Sequence, residues 1–149
     1  MSKASDLARL MTSGSTAIHG EAGVTSSGST GATTNLQQGL AKMWINLDGD
    51  ASTPAALDSI NTGSITDGGA GIYTYNFTNS MGNANYCFQG TAAQIPSSTS
   101  SGLHHEPQDN NASYATSSVK CETYYVDGST NRTNADLSNS NGTVFGDLA

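Results

Sequence analysis

The stretch "LHHE" brings His104, His105 and Glu106 together in the one acid–base cluster of this sequence. Imidazole and carboxylate side by side could shuttle protons or hold a transition metal. The spacing suits neither use. Successive residues of an extended chain point to opposite sides, so two rings aimed at one ion need a residue between them. No candidate nucleophile stands at a meaningful spacing from the cluster. A metal there is favoured most if a threefold axis brings three copies together, and a solvated loop is the expectation instead. Asp48 and Asp50 in "DGDAS" place two hard oxygen donors two residues apart, as in a calcium loop. The further acid, the glycine at the sixth position and the closing glutamate are missing, which leaves a polar turn. The chain is therefore expected to be no enzyme and to carry no metal or cofactor.

The aromatic residues offer a different chemistry. Trp44, Tyr73, Tyr75, Phe77, Tyr86, Phe88, Tyr124 and Tyr125 lie among Asn and Thr, and aromatic faces with such neighbours can bind sugars. Tyr73, Tyr75 and Phe77 share one strand face, however, as do Tyr86 and Phe88, and that period predicts a core. Trp44 falls opposite its strand's apolar face and is the better surface candidate. Trp44, His104 and His105 are thus the candidate ligand-binding residues. Cys87 and Cys121 fall in separate predicted strands without a CxxC spacing. That removes the zinc and thioredoxin readings, favours buried free thiols, and leaves a bridge between adjacent strands open.

The elements that must position these groups are mostly strands. "LAKMWINLDGD" alternates Ala41, Met43, Ile45 and Leu47 against Lys42, Trp44, Asn46 and Asp48 before turning at Asp48-Gly49. Two short strands follow around residues 61–63. Asp67-Gly68-Gly69 then turns the chain into "GIYTYNFT", and "NANYCFQGTA" supplies another strand. Residues 94–113, with two of the three prolines, read as a long surface loop suited to recognition. The chain closes in a hairpin turning at Asp127-Gly128, with Val119, Cys121, Thr123 and Tyr125 on one face. The one convincing helix is at residues 2–11, where Leu7, Leu10 and Met11 form a short apolar stripe. Such a stripe must rest on a twin in another subunit or on a host surface. Residues 12–38 are a Gly/Ser/Thr-rich arm whose scattered hydrophobes could pair as strands on a neighbour. The expected fold is mainly β: a small antiparallel β-sandwich or barrel-like module over residues 39–149, preceded by an N-terminal anchor helix and arm over 1–38.

Ser, Thr, Asn and Gly make up 69 of the 149 residues, whereas Leu, Ile, Val and Phe supply 22. Charged residues are 11%, so the chain is polar without being electrostatically expanded. So little aliphatic surface leaves a lone subunit marginal, and burial against other chains asks least of this sequence. Five Lys and Arg against twelve Asp and Glu give no basic stripe to follow phosphates, so nucleic acid is not an expected partner. No apolar run approaches the roughly 20 residues of a membrane span, and "MSKASDLARLM" lacks the apolar centre of a signal peptide. The expectation is a protein made in a cytoplasm, without a membrane.

Taken in order, "GLAKMWINLDGD", "ALDSINTGSITDGGAGIYTYNFTNSMGNANYCFQGTA" and the terminal "VFGD" resemble a module of virion structural and tail-fibre-type proteins of tailed bacteriophages, notably marine and cyanobacterial ones. The resemblance spans about residues 39–149. Lys42, Trp44, Asn46, Ser59, Asn61, Ser64, Asp67, Gly69, Gly71, Tyr73, Thr74, Phe77, Met81, Ala84, Asn85 and Tyr86 occupy the positions of its pattern, which mark fold rather than a site. It implies a non-enzymatic virion protein, made in the bacterial host cytoplasm and mounted on the head or tail by its N-terminus. With 38 residues ahead of the module and no long shaft, a short fibre, knob or decoration protein is expected. The resemblance and the thin core together imply a homotrimer in contact with other phage head or tail proteins. The alternative from another class is a lectin-like adhesin that binds host surface polysaccharide through Trp44 and the 94–113 loop.

Overall fold

The structure, a computed structural model, describes residues 23–25, 33–35, 39–93, 100–108, 113–127 and 131–149. The chain divides into two units, Met1–Leu40 and Ala41–Ala149. In the first, β1 (Gly23–Thr25) and β2 (Thr33–Asn35) pair antiparallel with each other. The expected helix with Leu7, Leu10 and Met11 lies outside the described residues.

The second unit is mainly β and consists of two antiparallel sheets facing each other in a β-sandwich-like arrangement. Its strands are β3 (Ala41–Asp48), β4 (Ala55–Ile60), β5 (Thr62–Asp67), β6 (Ile72–Phe77), β7 (Cys87–Ala93), β8 (Ser100–Pro107), β9 (Tyr114–Ala115), β10 (Ser118–Asp127), β11 (Arg132–Asn134) and β12 (Asn139–Phe145). One sheet has the order β4-β3-β12-β7. In the other, β6 lies between β5 and β10, and β10 also pairs with β8, β9 and β11. The alternation read in the sequence sets the inner faces. Met43, Ile45, Leu47, Phe88 and Val144 project from the first sheet, and Tyr73, Tyr75, Phe77, Val119 and Cys121 from the second.

With few aliphatic residues available, tyrosine fills much of this core, and each buried hydroxyl needs a partner. Tyr73 donates to Asp136 at 2.6 Å, and Tyr86 to the carbonyls of Ala115 and Ser118 at 3.0 and 2.8 Å. Tyr75 meets His105 Nε2 at 3.0 Å. Asp136 also accepts from the Gly71 amide, so one carboxylate ties the β5–β6 turn to the segment after β11. Burial, then the Asp136 bond and charge, push the Tyr73 phenol well above its ordinary range.

One correction to the sequence reading concerns β8. Residues 94–113 were expected to form one surface loop, yet Ser100–Pro107 is a strand paired along β10. Its polar backbone is satisfied by that ladder, and its Gly, His and Pro content hid the alternation. β4 and β5 are adjacent in sequence but do not pair. The chain leaves one sheet and joins the other at Asn61, whose φ of 57° makes the corner. The Asn61 amide fixes this corner by donating to the carbonyls of Lys42 and Asn79 at 2.9 and 3.0 Å, and its Oδ1 accepts from the Asn79 amide at 2.7 Å. The ladders of both strands are interrupted by bulges, at Leu57 in β4 and Gly63 in β5.

β7 and β8, from different sheets, close the opposite side. Gly90 and Gly142 sit directly across from each other on β7 and β12. A Cβ on Gly90 would collide with the His105 carbonyl oxygen, and one on Gly142 would come within 2.8 Å of the Phe88 ring. The paired glycines thus form the notch that β8 and the Phe88 ring occupy. We predict that Gly90→Ala lowers the urea midpoint by the equivalent of about 1–3 kcal/mol through overpacking, while Gly82→Ala, whose Cβ would make only ordinary contacts, leaves the β7–β8 seam untouched. Urea titration with amide exchange of β8 checks both: Gly90→Ala should accelerate exchange there and Gly82→Ala should not.

Candidate functional site

The three candidate ligand-binding residues occupy three different places. Trp44 stands half-buried on the outer face of the four-stranded sheet, His104 is exposed on the outer face of the other sheet, and His105 points between the sheets. The alternation that prevents adjacent histidines from sharing a ligand has put one outside and one inside.

His105 is 4% exposed, with both ring nitrogens engaged. Nδ1 lies 2.9 Å from the Asn141 carbonyl, which can only accept, so Nδ1 carries the proton. Nε2 is then the acceptor for the Tyr75 hydroxyl. Tyr75 and Phe88 both meet the ring edge-on, at centroid distances of 5.8 and 5.2 Å. The imidazole therefore joins β8, β6 and β12 as a neutral core group. Burial lowers its pKa from 6.5 to about 4, against the opposing pull of the Asn141 and Thr91 carbonyls. Between those values the unfolded chain binds a proton that the folded chain refuses, so stability rises with pH across this window. The contribution is fully present above pH 6.5 and is lost as pH falls toward 4, amounting to about 3 kcal/mol at the lower end. Urea unfolding at pH 7, 5.5 and 4.5 should show this slope, and His105→Gln should flatten it.

His104 stacks on Tyr124 with ring centroids 4.7 Å apart and planes inclined by 11°. Arg132 lies over the Tyr124 ring at 3.9 Å and pairs with Glu122, while Tyr124 donates to Glu106 at 2.8 Å. Glu106 and Glu122 face each other across β8 and β10, and Arg132 answers both carboxylates, its Nη1 being 3.7 Å from Glu106. A cation between two like charges relieves their repulsion, and the aromatic stack holds it there. Glu106, read in the sequence as a partner of the histidines, serves Tyr124 and Arg132 instead. Arg132 was not singled out in the sequence. A basic residue shortly after the Asp127-Gly128 turn, coming back beside Glu122 and Tyr124, was the available signal.

Among the described residues no three His, Cys, Asp or Glu side chains gather into a metal-sized cluster. Among them no helix is long and apolar enough to cross a membrane. An open groove of about 300 Å³ lies beside the β4–β5 corner, lined by Ala41, Lys42, Ile60, Asn61, Thr78, Asn79 and Leu148. The two cysteines are free thiols. Cys121 is buried as expected, and burial raises its pKa, whereas Cys87, also expected inside, is exposed on β7. Its strand begins at Cys87 itself, and the alternation turns Phe88 rather than Cys87 inward. A thiol reagent such as Ellman's should therefore titrate one cysteine in the native protein and two in guanidinium; two fast native thiols would contradict the placement of Cys121.

No protein-family model, curated protein or solved structure matches this chain.

Proposed function

We propose that the chain is a non-enzymatic structural protein of a tailed-phage virion, a short fibre, knob or decoration protein mounted through its N-terminal segment. The observation that carries this reading is the placement of the connections. β3 begins where β12 ends, since Ala41 lies opposite Phe145, and Leu148 bridges to Met81 at the same end. The covalent link to residues 1–40 is made at that end. The turns around residues 49–54 and 68–71, the end of β7 at Ala93 and the end of β10 at Asp127 lie at the other end, away from the attachment. A unit tethered by one end and open at the other suits projection from a particle surface.

The sequence resemblance of residues 39–149 to phage fibre-type modules supports the same reading. So does the use of the buried titratable groups. Tyr73, Tyr75, Tyr86 and His105 spend their hydrogen-bonding capacity on internal partners, as in a unit built for shape and durability. The protein acts as a homotrimer, its partners being other head or tail proteins at the mount.

Particles assembled with the full chain should retain it through gradient purification, as read by mass spectrometry. A chain lacking residues 1–11 should be depleted at least tenfold while remaining folded. In solution the full chain should scatter light as three copies of 15.2 kDa. Absence of the intact protein from purified particles would overturn the reading, and a monomer would remove the trimer.

A further inference from the structure

The outward side chains of the four-stranded sheet are arranged in rows by its register. Trp44 on β3 lies opposite Thr143 on β12, which lies opposite Gln89 on β7. One pleat away, Asn46 stands between Asp58 on β4 and Asn141 on β12. Trp44, Asn46 and Thr143 are half-buried, and the other three are exposed. Strand spacing makes the four-stranded face about 14 Å wide, and the two rows are about 7 Å apart. A short run of sugar rings fits that footprint.

The chemistry of the face is selective. An indole offers a flat apolar surface to the C–H face of a pyranose, and three amides and a hydroxyl offer paired donors and acceptors to ring hydroxyls. Asp58 is the one acidic side chain of the six, and the neighbouring outward positions of β3 hold Lys42 and Asp48, so the face carries one cation against two acids and offers an anionic polymer no net counter-charge. A second, independent feature points the same way. Asn46 Oδ1 is buried without a hydrogen-bond partner. A shielded carbonyl of this kind carries a desolvation cost that turning toward a ligand hydroxyl would recover.

We propose that this face binds a neutral polysaccharide, with Trp44 stacked on a sugar ring and Asn46, Asn141 and Gln89 bonding its hydroxyls. Trp44 is the single tryptophan of the chain, so its emission reports on this face alone. The full chain is applied to a glycan array carrying neutral and acidic glycans, and neutral hits are then titrated as free hexasaccharides while tryptophan emission is followed. The expected result is neutral-glycan binding with a saturable emission change, weakened at least tenfold in Asn46→Ala and in Asn141→Lys. Asn141 is exposed, so its variant tests the face without loss of the fold. His104→Ala, on the other sheet, should bind as the parent does. No array binding, a preference for acidic glycans, or binding indifferent to Asn141→Lys would overturn the assignment. Particle incorporation and glycan binding are separate readouts, so either can fail alone.

Discussion

The second unit depends on burying tyrosine hydroxyls together with the groups that satisfy them. A phenol contributes more apolar area than most side chains in this sequence, but an unpaired hydroxyl in the interior would forfeit much of that gain. Asp136, His105 and the carbonyls of Ala115 and Ser118 meet the requirement for Tyr73, Tyr75 and Tyr86. These partners come from segments far away in sequence, so each hydroxyl bond also fixes a long-range contact. The Tyr75–His105 pair ties the second sheet internally, and the His105–Asn141 bond carries the tie across to the first. A chain poor in Leu and Val has thereby used polar cross-links where others use aliphatic interdigitation.

The same economy shapes the β7–β8 seam. Side chains were removed at Gly90 and Gly142 to admit a backbone and a ring, so close approach there is made by deletion rather than by complementary bulk. At the opposite side Asn61 turns the corner between sheets in a left-handed conformation that asparagine accepts more readily than most residues.

Much of the strand pattern was legible because one-sided burial imposes a period of two. The buried alternation of β3 and β6 follows the spacing of Met43, Ile45 and Leu47 and of Tyr73, Tyr75 and Phe77. What period cannot reveal is which strands pair. That β4 and β5 belong to different sheets rests on the φ of Asn61 and on its side-chain bonds, which are tertiary facts. β8 was missed because its inward residue is a histidine, and a buried histidine looks polar until Tyr75 and the Asn141 carbonyl are in place beside it. Trp44 was legible as an outward residue, whereas its amide neighbours Asn141 and Gln89 come from two other strands, β12 and β7, whose register had to be known. The Arg132 cluster was illegible for the same reason, since β8, β10 and β11 each bring one part of it.

The bulges at Leu57 and Gly63 bear on how copies of this unit can coexist. Each interrupts the regular run of amides and carbonyls along a strand that borders its sheet, which spoils the template a neighbouring chain would need to extend the sheet. Crowded molecules would then meet through side-chain surfaces instead of merging into continuous fibrils. Dense display at high local concentration becomes compatible with solubility, and the geometry of any assembly falls to the shapes of the two outer faces.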